Sequence, residues 1–152
     1  MIENDIRPSG EFQLTDVLET LKKEGAKFLP GKVDVWMDCG KKDPTVDTNK
    51  KILGFEEAKG NNLVADSAVL ENSEIIQPCY IGENVILKNT TIGPYVSIGE
   101  NSLVEDSEIR NSLIQTNVHI SNASLDNAMI GNHATYNGNF TSVSIGDYTE
   151  LT

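Results

Sequence analysis

The chain has 152 residues, a net charge of −11 and a pI near 4.5, and only 6% of its residues are aromatic. Nucleic acids and anionic membranes bind clustered lysine and arginine side chains, so this charge argues against both as partners. No apolar run reaches the roughly 18 residues of a membrane span, and the first residues do not resemble a signal peptide, which favours the cytoplasm.

The first element in chain order is a predicted amphipathic helix. Apolar residues recur there at the i, i+3, i+4, i+7 spacing of one helical face. They are Leu14, Val17, Leu18 and Leu21. Gly25 follows as a natural C-terminal stop.

Residues 1–59 as a whole are predicted to be α/β. Residues 32–38 alternate apolar and polar side chains, which predicts a strand. Asp43 and Pro44 predict the N-cap and first turn of a second helix that runs to about Leu53. Two helices and one strand cannot bury much surface by themselves. The region therefore either packs on the rest of the chain or has lost a partner. A boundary is predicted near Gly60, with a second domain over residues 62–152.

From Val64 onward the pattern is a repeat with steps of mostly five or six residues between apolar positions. Eight six-residue steps carry a small residue four places after the apolar one. These small residues are Ala68, Cys79, Val85, Val96, Ser102, Val118, Ala134 and Thr149. Five of the eight carry glycine one place after the apolar residue, namely Gly82, Gly93, Gly99, Gly131 and Gly146. The third residue of each five-residue step is always Asn or Asp: Asn72, Asn89, Asp106, Asn111, Asn122 and Asn127.

Such a pattern is typical of a triangular β-coil, in which each short strand points one aliphatic side chain inward. Tight corners need residues that tolerate positive φ, which we expect Gly and Asn or Asp to supply. One row recurs every 15 to 17 residues and predicts one coil per recurrence: Ile81, Ile98, Ile114, Ile130 and Ile145. The sequence therefore predicts a mainly β fold, a parallel β-helix preceded by a small α/β part.

Two stretches of the first region, residues 10–16 (GEFQLTD) and 36–40 (WMDCG), resemble the later half of the catalytic domain of sugar-1-phosphate nucleotidylyltransferases, of the glucose-1-phosphate thymidylyltransferase-like group. Several members of that family carry a C-terminal left-handed β-helix of hexapeptide repeats. The resemblance therefore covers both regions in their order, and it implies left-handed winding for the repeats.

The resemblance also implies site residues. Gly10 and Glu11 correspond to positions that contact the sugar, where the Glu11 carboxylate accepts hydrogen bonds from hydroxyls. Asp38 corresponds to the aspartate that helps to hold Mg²⁺ against the phosphates, and carboxylate oxygen suits that hard cation. The sequence after Asp38 is Cys39-Gly40, where the family usually has Gly-Thr. Without the resemblance, Glu11 and Asp38 would be interpreted as ordinary exposed acids.

The family's nucleotide-binding loop and its other metal-binding aspartate lie in an N-terminal half, and no Gly-rich phosphate loop precedes Gly10. We therefore expect the chain to be a C-terminal fragment that is inactive alone. The implied partners are the missing catalytic half, a sugar 1-phosphate and a nucleoside triphosphate.

Two alternatives remain. Hexapeptide β-helices also occur in acyltransferases, which use a histidine as general base, and His119 and His133 are the only candidates. Both are expected to be outward-facing surface residues. The other alternative is a purely structural oligomerisation module, and a homo-oligomer, trimer or dimer, is expected in any case. Cys39 and Cys79 lack metal or redox spacing and are expected to be reduced, buried thiols.

Overall fold

The computed structural model describes residues 14–138 and 144–151, the last two of these by their backbone only. The chain separates into two compact units, residues 1–36 and 37–152. Gly10 and Glu11 lie outside the described residues.

In the first unit, helix α1 spans Leu14–Lys23 and is followed by Gly25 with a φ of +96°, as predicted. None of its residues is buried, and the apolar face remains exposed at Leu14, Leu18 and Leu21. The strand predicted over residues 32–38 is wrong, because the structure has no strand there. A strand is stabilised by pairing with a neighbour, and the alternating Val33 and Val35 are exposed instead.

Helix α2 spans Lys42–Ala58 and opens the second unit. Its N-cap is Lys41 rather than the predicted Asp43, which lies inside the first turn. An acidic side chain in the first turn still stabilises the helix, because it lies near the positive end of the helix dipole. The helix extends five residues beyond the predicted end at Leu53, because Gly54 is accommodated within it.

Among the described residues, the repeat region forms fifteen short strands arranged as three parallel sheets, the faces of a parallel β-helix. Face A consists of β3 (Cys79–Ile81), β6 (Val96–Ile98), β9 (Ser112–Ile114), β12 (Met129–Ile130) and β14 (Ser144–Ile145). Face B consists of β1 (Val69–Glu71), β4 (Ile86–Lys88), β7 (Leu103–Glu105), β10 (His119–Ser121), β13 (Thr135–Asn137) and β15 (Glu150–Leu151). Face C consists of β2 (Glu74–Ile75), β5 (Thr91–Ile92), β8 (Glu108–Arg110) and β11 (Ser124–Asp126). Each coil from β1 to β12 visits faces B, C and A in turn, which agrees with the predicted left-handed β-helix.

The core is a stack of aligned aliphatic rows. The predicted row on face A pairs in register through every coil: Ile81, Ile98, Ile114, Ile130 and Ile145. All five side chains are buried, so the predicted register is confirmed. The small residues two positions before the inward isoleucines of face A, such as Cys79 and Val96 at the starts of β3 and β6, also point into the core and are fully buried. The core narrows at these corners, which is why only small side chains fit there.

The corner prediction is confirmed for the Asn and Asp positions. The six predicted residues all adopt positive φ, between 46° and 56°: Asn72, Asn89, Asp106, Asn111, Asn122 and Asn127. Several of their side chains also form a ladder along the axis, in which Asn72 donates to Asn89 and Asn89 donates to Asp106. These hydrogen bonds satisfy polar groups and align successive coils.

The role predicted for the corner glycines is wrong at most positions. Only Gly93, at 111°, adopts positive φ among the five. At Gly99 the reason for glycine is space, since an added Cβ would lie 2.7 Å from the backbone carbon of Gln115 in the next coil. The positive φ of that corner falls two residues later, at Asn101. Sequence spacing alone cannot distinguish close approach from backbone twist.

Both cysteines are free, as predicted. Cys79 is buried, and burial raises the pKa of its thiol. Cys39 is exposed, so the prediction of a buried thiol is wrong there, because the segment around it lies on the surface. None of the described helices has the length and apolar character needed to cross a membrane.

Candidate functional site

Asp38 lies at the surface in the segment just before α2. Its Oδ1 accepts a hydrogen bond from the backbone N–H of Gly40 at 2.9 Å. Its backbone carbonyl accepts another from the hydroxyl of Thr48, the seventh residue of α2, at 3.1 Å. The Gly40 N–H therefore orients the carboxylate, which faces solvent, and the Thr48 contact ties the backbone of Asp38 to α2.

The chemistry of Asp38 fits part of a magnesium site. Its second oxygen, Oδ2, has no hydrogen-bond partner among the described residues. Magnesium is commonly held by one or two carboxylates together with substrate phosphates, so a single exposed aspartate can supply one ligand. Within residues 14–138 and 144–151, no group of three His, Cys, Asp or Glu side chains is arranged to hold a metal ion. Asp38 could contribute to such a site only alongside ligands from elsewhere.

The other two predicted site residues, Gly10 and Glu11, lie outside the part of the chain that the structure describes. Their role in sugar binding therefore stays a prediction. The structure brings Asp38 together with Gly40, which bonds its carboxylate, and with Thr48, which bonds its backbone carbonyl; sequence reasoning identified neither contact.

Helix α2 is anchored on face A of the β-helix. Val46 and Leu53, seven residues apart on one side of the helix, are buried at 2% and 3% exposure. Between them, Asn49 accepts a hydrogen bond from the hydroxyl of Ser97 in β6 at 2.6 Å. The spacing of these residues is that of one helical face, so the same side of α2 supplies both apolar and polar contacts.

A second set of contacts fixes the first turn of α2. Lys42 Nζ donates to the carbonyl of Asn127 at 3.0 Å, and the Asn127 amide donates to Asp43 Oδ1 at 3.0 Å. The hydrogen bond from Lys42, followed by that from Asn127, lowers the pKa of the Asp43 carboxyl. Since Thr48 of the same helix bonds Asp38, the candidate metal ligand is tied through α2 to the repeats. The sequence predicted Asp43 only as a helix N-cap, and it did not predict the contact with Asn127 that fixes α2 on the repeats.

The two histidines lie on the outside of the β-helix, as predicted. His119 Nε2 lies 3.1 Å from Glu105 Oε2, and this contact, with help from Lys88, lowers the pKa of the Glu105 carboxyl. His133 sits at a corner with a φ of 58° and stacks on Tyr148 with ring centroids 4.6 Å apart. Neither contact assigns an acyl-transfer role, because a general base also needs a bound substrate within hydrogen-bonding reach.

No protein-family model matches the sequence. Curated relatives include a glucose-1-phosphate thymidylyltransferase from Streptomyces griseus, 28% identical over 144 residues, with 84% of this chain and 41% of the relative covered. A glucose-1-phosphate thymidylyltransferase from Streptomyces antibioticus is 27% identical, with 72% of this chain and 35% of the relative covered. A probable mannose-1-phosphate guanyltransferase from Schizosaccharomyces pombe is 33% identical, with 78% of this chain and 29% of the relative covered.

The extent of these matches shows which parts of the chain are related. The Streptomyces griseus match covers 84% of 152 residues, about 128, whereas residues 62–152 number only 91. The similarity therefore cannot be confined to the repeats, where a shared periodicity alone could produce it, and it extends into the first region. The chain spans well under half the length of these relatives. It is a homologue of the glucose-1-phosphate thymidylyltransferases over the C-terminal part of those enzymes.

Proposed function

We propose that the chain acts as the C-terminal part of a sugar-1-phosphate nucleotidylyltransferase. In that reaction a phosphate oxygen of the sugar 1-phosphate attacks the α-phosphorus of a nucleoside triphosphate. The bond from that phosphorus to the bridging oxygen breaks, and pyrophosphate leaves as the nucleotide-sugar forms. The observation that carries the proposal is homology that extends beyond the repeats into the first region.

The chain's own residues take limited parts in this proposal. Gly10 and Glu11 contact the sugar, and the Glu11 carboxylate accepts hydrogen bonds from its hydroxyls. Asp38 supplies one carboxylate ligand to a magnesium ion, which would offset the charge of the phosphates. The relatives are named for different nucleotides, thymidylyl and guanyl, and for different sugars, glucose and mannose. The proposal therefore specifies neither the base nor the sugar.

We propose that the β-helix serves assembly, as a homodimer or homotrimer, and holds the Asp38 segment through α2. The three hydrogen bonds between α2 and the repeats and the two apolar side chains that α2 buries support the second role. Two free thiols suit a reducing compartment, so we place the protein in the cytoplasm.

A chimera tests the nucleotidyl-transfer proposal. This chain would replace the matching C-terminal part of the Streptomyces griseus relative, and pyrophosphate release would be measured with nucleoside triphosphates and sugar 1-phosphates. We expect activity in the chimera, no pyrophosphate release by the chain alone, and no acetyl transfer by either protein.

The role of Asp38 is tested in the same chimera. Asp38→Asn keeps the size of the side chain and removes its charge, so we expect a loss of about a hundredfold or more in magnesium-dependent turnover. The matched control is Asp34→Asn, a neighbouring exposed aspartate whose contact is an ion pair with Lys32. A folded chimera that is as active with Asp38→Asn as without it would exclude Asp38 as a metal ligand. Acetylation that disappears on His119→Ala or His133→Ala would favour acyl transfer instead.

A further inference from the structure

The three faces of the β-helix differ in what their outer sides present. On face A, α2 covers the centre, where Ser97 is only 8% exposed. Face C carries charged side chains at Glu74, Glu108 and Arg110, all exposed. Face B is different, because it combines an apolar column with a column of charges. Face A also carries outward apolar side chains, of which Tyr80 is 44% exposed, but α2 packs against that face.

The register of face B builds both columns. The apolar column is Val69, Ile86 and Leu103, which are aligned through successive coils and continue to His119. The charged column is Glu71, Lys88 and Glu105, in the same register two residues later. Residues between the columns, such as Leu87, point into the core, so both columns point outward.

These outer side chains remain accessible. Val69 is 45% exposed, and the side chains of Lys88 and His119 are 38% and 45% exposed. Lys88 lies 3.3 Å from Glu105, and Glu105 also contacts His119 at 3.1 Å. The charges on this face are therefore already partly balanced, which lowers the cost of bringing another surface against it.

We propose that face B binds a second copy of this chain, related by a twofold axis that runs parallel to the strands between the coils of Ile86 and Leu103. This deepens the assembly role proposed above and rests on it. The two prisms are antiparallel in this arrangement. Ile86 of each copy opposes Leu103 of the other, and Lys88 of each opposes Glu105 of the other.

The choice of a second copy follows from this self-complementarity. An isologous interface needs a surface that matches itself under a twofold rotation. The order of charges along the column, with Lys88 next to Glu105, meets that need at the proposed axis. Arg110 and Asp126 give face C a similar order of charges, but the other outer column of that face is polar throughout: Glu74, Thr91, Glu108 and Ser124.

The size of the face sets the strength of the association. The proposed axis pairs four strands, β1, β4, β7 and β10, and at about 4.8 Å spacing and three residues of width they give a patch of about 14 Å by 10 Å. That is well below the roughly 800 Å² per partner of a stable interface. We therefore expect a weak dimer, with a dissociation constant on the order of 100 µM.

Sedimentation velocity of the chain between about 10 µM and 1 mM tests the proposal, because mass action raises the dimer fraction with concentration. We expect Lys88→Glu and Glu105→Lys each to weaken association by about tenfold, and the double exchange to restore it. Arg110→Glu, on face C, makes the same charge change as Lys88→Glu and should leave association unchanged. Circular dichroism of each variant verifies that the β-helix is intact.

Cross-linking tests the symmetry separately. In a Cys39→Ser background, a mixture of Ile86→Cys and Leu103→Cys chains should form the mixed disulfide faster than either variant alone forms its own dimer. Equal rates would overturn the antiparallel arrangement. A monomer at every concentration would overturn both the surface and the assembly role. A dimer or trimer unaffected by Lys88→Glu would overturn the surface while leaving the assembly role standing. None of these outcomes bears on nucleotidyl transfer, which the chimera tests.

Discussion

Two leucines in one row of the core allow a matched test of the β-helix. Leu70 and Leu87 are register partners on face B, in the first and second coils. Leu87 is fully buried, whereas Leu70 is 43% exposed because no described coil stacks on its outer side. The same substitution, to alanine, therefore removes the same atoms from an interior position and from an end position.

The expected losses differ because only one site leaves a cavity. Leu87→Ala should lower the free energy of unfolding by about 3–4 kcal/mol, within the range seen for buried leucines. For Leu70→Ala, the transfer term of three carbons is about 2.4 kcal/mol, and scaling it by the buried fraction leaves about 1.4 kcal/mol. Water replaces the removed atoms at that open position, so no cavity term is added. The predicted difference is about 2 kcal/mol.

Urea unfolding followed by far-ultraviolet circular dichroism measures both losses. The slope of the unfolding free energy against urea concentration should be the same in the wild type and both variants. Equal slopes would verify that the repeats unfold together, as the comparison requires. Equal losses, within about 0.5 kcal/mol, would refute the reasoning, since they would mean that another part of the protein covers the first coil.

Three further predictions concern single positions. Ile114→Asp should prevent stable folding, because it places an unpaired carboxylate in a dry aliphatic row, and circular dichroism and the melting temperature measure this. Gly99→Ala should destabilise by about 1–3 kcal/mol in urea unfolding because its Cβ meets the next coil, whereas Gly146→Ala, with open space around it, should change little. A thiol reagent should modify exposed Cys39 quickly and buried Cys79 only on unfolding, and two fast thiols would contradict the described packing.

The repeats could be predicted from the sequence because their determinants are local. An aliphatic residue every five or six positions indicates where each strand lies and which of its side chains points inward. Ile81 and Ile98 could therefore be assigned to one row. Asparagine adopts positive φ more readily than most residues, so positive φ could be predicted at Asn72 and Asn89 from the residue type alone. The glycines were harder, because the need for Gly99 comes from the backbone of another coil. No residue near Gly99 in sequence carries that information.

The candidate site was less predictable for two physical reasons. The alternation in residues 32–38 indicates a strand only if a neighbouring strand is present, and none pairs with it among the described residues. The docking of α2 depends on Asn49 meeting Ser97 and on Asp43 meeting Asn127, pairs separated by 48 and 84 residues. Those contacts appear only when the coils are assembled in space. The identity of Asp38 as a candidate came from resemblance rather than from its own surroundings.

The start of the repeats and the start of the compact unit do not coincide, and the difference bears on function. The repeat pattern begins at about residue 62, but the compact unit begins at residue 37 and includes α2. Cutting the chain at residue 62 would expose the part of face A that Val46 and Leu53 now cover, and it would leave Ser97 without its partner. Asp38 lies inside this same unit, tied to α2 through Thr48. The β-helix is therefore part of the scaffold that positions the candidate ligand, and a perturbation of face A should reach Asp38 through a single helix.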